Sequence, residues 1–252
     1  MIVQHDSLTQ EERDFLLAFE DDTNESPWEV VTDFLRNAVY GFLFPLKRFA
    51  AKQHPEWYIS SRLPVLYPRP DGTTGQVAPD VFVARAANYL HDYFHVEEEG
   101  AVPAFVLECV SSASAQRDTQ DKVRFYGLFG VEEYVLFDPC SEFDPYADHA
   151  PQLHGYHRAA DGTWAPWPLG SRGELQSAVL GLTLIPHGQY LWLQDAQGES
   201  LISVVEELEQ QVHEERSRHW RAEDRLDEEV ALRTDLEARL AAVEAELARL
   251  RG

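Results

Sequence analysis

The chain has 252 residues, 44% hydrophobic and 26% charged, with 14 Gly and 14 Pro, a composition that excludes collagen-like and wholly disordered chains and fits one medium domain with an appendage. Two cysteines, Cys109 and Cys140, exclude a disulfide framework and a thiolate zinc site and favour a reducing, cytoplasmic setting. The net charge is −23; residues 201–252 carry 14 acidic and 8 basic side chains, leaving 30 and 13 in residues 1–200, a net of −17 that disfavours non-specific attraction to polyanions.

The N-terminal MIVQHDSLTQEERDF lacks the basic-then-apolar pattern of a signal peptide, and residues 1–27 read as a polar, acidic segment. From Pro27 onward, Val31, Phe34, Leu35, Ala38, Val39 and Phe42 recur at helical spacing, which predicts a buried amphipathic helix ended or kinked at Pro45. WYISSRLPVLY (57–67) and QVAPDVFVA (76–84) read as two strands flanking the turn-rich PRPDGTTG, hence a hairpin. AVPAFVLECV (101–110) is an apolar run of strand length, Thr119 to Leu128 a half-exposed helix, and EEYVLFDP (132–139) a further strand. Strand, helix and strand in this compass predict a parallel crossover at the centre of a mixed sheet. Residues 140–200 read as short antiparallel strands at a sheet edge. No apolar stretch nears the roughly 20 residues that cross a bilayer, so no membrane association is expected.

Beyond Leu201, Pro vanishes and Glu, Arg, Ala and Leu dominate. A heptad register with Val205, Val212, Leu226, Leu240 and Leu247 at a and Leu208, Ala222, Leu236, Val243 and Leu250 at d predicts a coiled-coil helix over 201–252, with homo-oligomerisation through residues 204–251; the alternative is a solvated single helix held by i,i+4 charge pairs. Glu215, His219, Glu229 and Arg233 break the seam, which is cleanest toward its distal end.

Glu108 stands inside the apolar AFVLECV, where a carboxylate must be paired, bound to metal or facing solvent. Asp80 stands comparably at the start of DVFVA. If the two strands are neighbours, both acids can converge on a hard cation such as Mg²⁺, which takes oxygen ligands and retains several waters. Lys122, 14 residues after Glu108, lies on the following helix, from which it can reach the same sheet edge. Two acids and a lysine suit phosphodiester hydrolysis, the lysine contacting the scissile phosphate or orienting the nucleophile. Each residue also has an ordinary explanation: Asp80 as a turn residue after Pro79, Glu108 on the solvent face of an edge strand, Lys122 in a surface i,i+4 pair with Asp118. The spacing of His91 and His95 is a weaker metal-binding signal.

The segments APDVFVAR (78–85), PAFVLECVSSASAQRDTQDKVRFYGLFGVEEYVLFDP (103–139), LHGYHR (153–158) and VLGLTLIPHGQYLWLQDAQGESL (179–201) resemble the bacterial Uma-two family of restriction-endonuclease-like proteins, over roughly residues 28–200. The resemblance implies an α/β fold of the PD-(D/E)XK nuclease superfamily, a mixed sheet flanked by helices. It implies a site made of Asp80, Glu108 and Lys122, with Asp80 and Glu108 as metal ligands, Val110 standing where the parent superfamily has its strand lysine, and Glu29 or Asp33 as an additional acid from the first helix. Ser111, Ser112, Ala113 and Ser114 replace the family's usual Ser-Pro-Ser-Thr-like turn, and the histidine common on the first helix is not evident. The expected activity is endonucleolytic hydrolysis of DNA with Mg²⁺, or Mn²⁺ as substitute. The alternative is a catalytically weak or inactive nuclease-fold scaffold that acts through its coiled coil.

Overall fold

The structure, a computed structural model, describes residues 7–21, 33–86, 92–110, 114–139 and 152–201, the side chains of residues 33 and 34 excepted. The coiled coil expected over 201–252 lies outside the described residues from 202 onward, as do Glu29, His91 and Cys140.

Helix α1 spans Gln10–Ala18 and opens with a capping box: the Glu12 N–H donates to Thr9 Oγ1 at 3.3 Å while Glu12 Oε2 accepts from the Thr9 N–H at 2.8 Å. Its sequence looks polar, yet Leu16 is buried and Phe19, just beyond it, stacks on Phe125 at 4.3 Å. The segment expected to be merely polar is therefore partly a docked helix. Helix α2 spans Asp33–Gln53 and runs through Pro45 instead of ending there. Ala38, Val39, Phe42, Leu43, Leu46 and Ala50 form its buried stripe, and this burial offsets the hydrogen bond that the proline removes. Gly41 lets α2 come close to its neighbour: a Cβ there would lie 2.9 Å from the Tyr190 ring.

The two strands expected as one hairpin are each broken in two. β1 (Trp57–Ser60) pairs antiparallel with β4 (Val81–Arg85), while β2 (Val65–Pro68) pairs antiparallel with β3 (Thr74–Val77). Pro64 and Pro79 stand at the breaks, where a missing N–H and a fixed φ interrupt a ladder. The outer halves join a six-stranded sheet and the inner halves a second sheet, to which β5 (Phe94–His95) adds in parallel. At the first break Arg62 adopts φ 51°, and its N–H donates to Pro79 O at 2.8 Å. A left-handed non-glycine residue costs on the order of 1 kcal/mol.

After the short α3 (Val96–Glu99), β6 (Pro103–Cys109) runs fully buried through the middle of the main sheet. A π-helical turn (Arg117–Asp121) leads directly into α4 (Lys122–Phe129), which ends at Gly130 with φ 97° and returns the chain to β7 (Glu133–Asp138), parallel to β6. The expected crossover is present. β8 (Gln152–Arg158) and β9 (Trp164–Pro166) extend that sheet, giving the order β1-β4-β6-β7-β8-β9. β10 (Leu175–Ser177), β11 (Leu182–His187) and β12 (Tyr190–Gln194) form a separate antiparallel sheet instead of extending the edge.

Both faces of the main sheet are covered. Phe105, Leu107, Cys109, Val135 and Phe137 pack with α2 and the β10–β12 sheet. Val106, Tyr134 and Leu136 pack with Phe125, Tyr126 and Phe129 of α4 and with Leu16 and Phe19 of the N-terminal helix region. Side-chain alternation along β6 therefore aims Cys109 at the α2 face and Glu108 at the α4 face. This is a mixed α/β sheet flanked by helices, of the restriction-endonuclease-like kind. Among the described residues no helix is long and apolar enough to cross a membrane.

Candidate active site

Glu108 occupies the next-to-last position of a central strand and is 4% exposed, so the edge-strand explanation fails and its charge must be answered inside the protein. Lys122 Nζ lies 2.9 Å from Glu108 Oε1, and the Tyr126 hydroxyl donates to the same oxygen at 3.2 Å. Both donors come from α4, one turn apart, and the parallel crossover is what lays that helix over the strand's end.

Asp80 enters from β4, the antiparallel neighbour of β6. The register sets Val81 opposite Leu107, which brings residue 80 beside residue 108. The main-chain N–H of Asp80 is 3.3 Å from Glu108 Oε2, and the Cys109 N–H donates to Asp80 Oδ2 at 2.9 Å. Asp80 is partly exposed, unlike Glu108. Burial pushes its carboxyl above the ordinary carboxylate value; the Cys109 N–H and the charges of Lys122 and Arg62 pull it back, and Asp118 adds to the rise. The Cys109 thiol is raised well above its ordinary value by burial and by Asp80, Glu108 and Asp118, so it stays a neutral thiol in the opposite core.

Asp80, Glu108 and Lys122, which the sequence singles out, are thus brought together. Asp118, which reads in the sequence as half of a surface pair, belongs with them: it is 2% exposed, and its Oδ1 lies 3.1 Å from Lys122 Nζ. The i,i+4 spacing to Lys122 is the available signal, but spacing alone does not say which way the pair faces. The π-helical turn that carries Asp118 is anchored by the Tyr134 hydroxyl, which donates to Asp118 O at 3.0 Å. Such turns recur at functional sites. Tyr126 has no distinguishing sequence signal either, since a tyrosine on a helix reads as core. Of the proposed extra acids, Asp33 opens α2 with its side chain outside the described residues, and Glu29 lies outside them altogether. His95 sits on β5, in the β3-β2-β5 sheet and not in the six-stranded sheet that holds β4 and β6.

Among the described residues no group of three or more His, Cys, Asp or Glu converges as a metal cage. The pair Asp80 and Glu108 nevertheless fits a hard cation by donor chemistry. Both are carboxylates, they are fixed side by side, and the Oδ1 of Asp80 is not the oxygen held by the Cys109 N–H. A cation that keeps most of its waters needs one or two protein carboxylates.

A search of curated proteins found no match. The Uma2 family model, whose description is "Putative restriction endonuclease", matches residues 31–187, a span that contains the divided hairpin, the crossover and all four charged residues of the site. With more than half of the chain matched, the protein belongs to the Uma2 family.

Proposed function

We propose that this protein hydrolyses DNA phosphodiester bonds endonucleolytically with Mg²⁺, for which Mn²⁺ can substitute. One observation carries this reading: the Asp80 N–H on Glu108 Oε2 and the Cys109 N–H on Asp80 Oδ2 hold the two carboxylates at adjacent strand ends, with the Lys122 ammonium on Glu108. Asp80 and Glu108 would hold the ion. When bound, Mg²⁺ supplies positive charge against the developing charge on the phosphate and acidifies a coordinated water.

The chain's own residues then divide the remaining work. Glu108 and Asp118 hold Lys122 between them, so its ammonium is fixed in place and suits orienting an attacking water better than chasing a mobile phosphate. Tyr126 fixes the Glu108 carboxylate through a second bond to the same oxygen. The site lies at the ends of two central strands, so its geometry rests on a buried core and not on a loop.

The test is cleavage of a supercoiled plasmid by the full chain in Mg²⁺, Mn²⁺ and EDTA, with Asp80→Ala and Glu108→Ala beside it. Metal-dependent nicking or linearisation that both substitutions abolish is expected. Cleavage that survives either substitution overturns the assignment.

A further inference from the structure

The family match begins at residue 31, so the N-terminal arm, residues 9–21 with helix α1 at its centre, precedes the matched span. This arm is fastened on two sides. Asp21 Oδ1 accepts from Arg69 Nη2 at 2.7 Å and from the Gln76 N–H at 2.7 Å, and Arg69 Nη2 also donates to Phe19 O at 3.1 Å, which ties the arm to β2 and β3. On the other side Phe19 stacks on Phe125 of α4 at 4.3 Å, and the Arg124 guanidinium lies over the Phe15 ring. The arm therefore bridges the β2–β3 hairpin and the helix that carries Lys122.

One further contact of the arm lands on the backbone of the candidate site. Arg117 Nη2 donates to Glu20 O, and its guanidinium carbon lies 5.3 Å from the centre of the Phe19 ring. Arg117 opens the π-helical turn, and its own carbonyl accepts from the Lys122 N–H five residues on. In an α-helix that N–H would bond to the carbonyl of residue 118; here the Asp118 carbonyl accepts from the Tyr134 hydroxyl instead. The π register is thus supported from the core by Tyr134 and from outside by the arm. A π-turn is a rare, locally unfavourable arrangement that its surroundings must maintain. Return to an α register would turn Asp118 about the helix axis relative to Lys122, whose Nζ now lies 3.1 Å from Asp118 Oδ1.

We propose that the N-terminal arm is a positioning clamp for the site: by holding Arg117 through Glu20 O and the Phe19 ring, it keeps the π-turn in register and so sets where the Lys122 ammonium sits. The effect on cleavage rests on the nuclease reading; the effect on Lys122 does not. Arg117 and Phe19 are positioning residues, and neither touches substrate.

The experiment exploits the lysine content of the chain, which is Lys47, Lys52 and Lys122 alone. Full-length protein labelled with ¹³C at the lysine ε carbons gives three resonances, and Lys122→Arg identifies the one that belongs to the site. Arg117→Ala, Arg117→Lys, Phe19→Ala and Glu20→Ala are compared with the wild type for that resonance, for melting temperature, and for kcat and KM of plasmid cleavage in Mg²⁺. Arg117→Ala and Phe19→Ala should move the Lys122 resonance and leave those of Lys47 and Lys52 in place, with kcat lower by about 10-fold or more and KM nearly kept. Arg117→Lys, which can still donate to Glu20 O, should restore part of both effects. Glu20→Ala should change neither, because the accepting carbonyl belongs to the main chain. A lower melting temperature with the Lys122 resonance unmoved in folded Arg117→Ala and Phe19→Ala makes the arm a structural strap and overturns the proposal. If Arg117→Ala does not fold, an unmoved resonance in Arg117→Lys and Phe19→Ala overturns it equally. A wild type that does not cleave, with the resonance shifted in the arm variants, sinks the nuclease reading and leaves the clamp standing. Wild-type cleavage with no change in resonance or kcat in those variants does the reverse.

Discussion

The contact between Asp80 and Glu108 is made by the backbone of one and the side chain of the other: the Asp80 N–H points at Glu108 Oε2 from 3.3 Å. Substituting Asp80 therefore leaves that contact in place and removes only the carboxylate. Glu108 has no such redundancy, since its side chain alone meets Asp80, Lys122 and Tyr126.

Asp80→Asn should abolish cleavage and raise stability at neutral pH. Burial lifts the Asp80 carboxyl above its ordinary value of 3.8, so the folded state keeps that proton to higher pH than the unfolded chain does. The stability linked to this group is fully present below about 3.8 and is lost as pH rises through the folded value, so at pH 7 the ionised side chain weighs against the fold. Asparagine can still accept from the Cys109 N–H without carrying the charge. The melting temperature should rise, on a scale of about 2–4 °C per kcal/mol for a chain of this size, and the gap to wild type should close as pH falls toward 4. A melting temperature lowered at pH 7 contradicts the prediction.

The centre of the molecule is legible in the sequence and its periphery is ambiguous there. A carboxylate in the otherwise apolar PAFVLEC has to be answered by something, and a strand, helix and strand of these lengths have few ways to pack. Asp118 is obscured because the same i,i+4 pair stabilises a solvated helix or a buried one, and only the packing of α4 and β7 decides between them. The splitting of the hairpin between two sheets depends on what covers each half, although Pro64 and Pro79 mark where the breaks fall. Helix α1 is hard to see because it buries little: Leu16 within it and Phe19 beyond it, amid mostly polar residues. The continuity of α2 through Pro45 likewise depends on tertiary burial overriding a local penalty.

Lys122→Met should destabilise the protein strongly. The change keeps much of the side-chain volume but leaves Glu108 and Asp118, 4% and 2% exposed, without their shared cation. Removing one partner of a buried ionic group costs about 3–5 kcal/mol. Adding Glu108→Gln to Lys122→Met should recover part of that loss, so the two changes together should cost less than their sum. Urea unfolding of the two single variants and the double variant measures this coupling, and simple additivity would mean that the ammonium is not the charge these acids depend on.

Tyr126→Phe removes the hydroxyl that donates to Glu108 Oε1 at 3.2 Å and keeps the ring, whose centroid lies 4.8 Å from that of Tyr134. Stability should fall by about 1 kcal/mol. Because the hydroxyl orients a proposed metal ligand, Mn²⁺ affinity or the cleavage rate should fall by about 10-fold or more. Titration of Mn²⁺ by electron paramagnetic resonance separates the two effects, and unaltered affinity together with an unaltered rate would make Tyr126 a packing residue only.

Glu133 supplies a contrast on the opposite face of the same sheet. It is 4% exposed and accepts from the Ala178 N–H at 2.7 Å, from the Val179 N–H at 3.1 Å and from the Ser177 hydroxyl, so it fastens β7 to the β10–β12 sheet. Ser177 Oγ in turn accepts from the Leu180 N–H at 2.9 Å. Glu133→Ala would leave those donors facing a hole, at about 1–3 kcal/mol for each that water cannot reach. Glu133→Gln keeps one oxygen for the two backbone donors and loses the acceptor for Ser177, so it should cost less than alanine. Burial raises the Glu133 carboxyl above its ordinary value of 4.5, which makes the wild type's stability from this group greatest below about 4.5 and smaller as pH rises through the folded value. Glutamine does not titrate, so the deficit of Glu133→Gln should be larger at pH 4 than at pH 8. Since neither change touches the Asp80 and Glu108 side of the sheet, the Mn²⁺ affinity of the folded fraction should match the wild type. Urea unfolding at the two pH values, paired with Mn²⁺ titration, distinguishes a structural fastener from a site residue, and weakened metal binding by folded Glu133→Gln would show that the two faces are coupled.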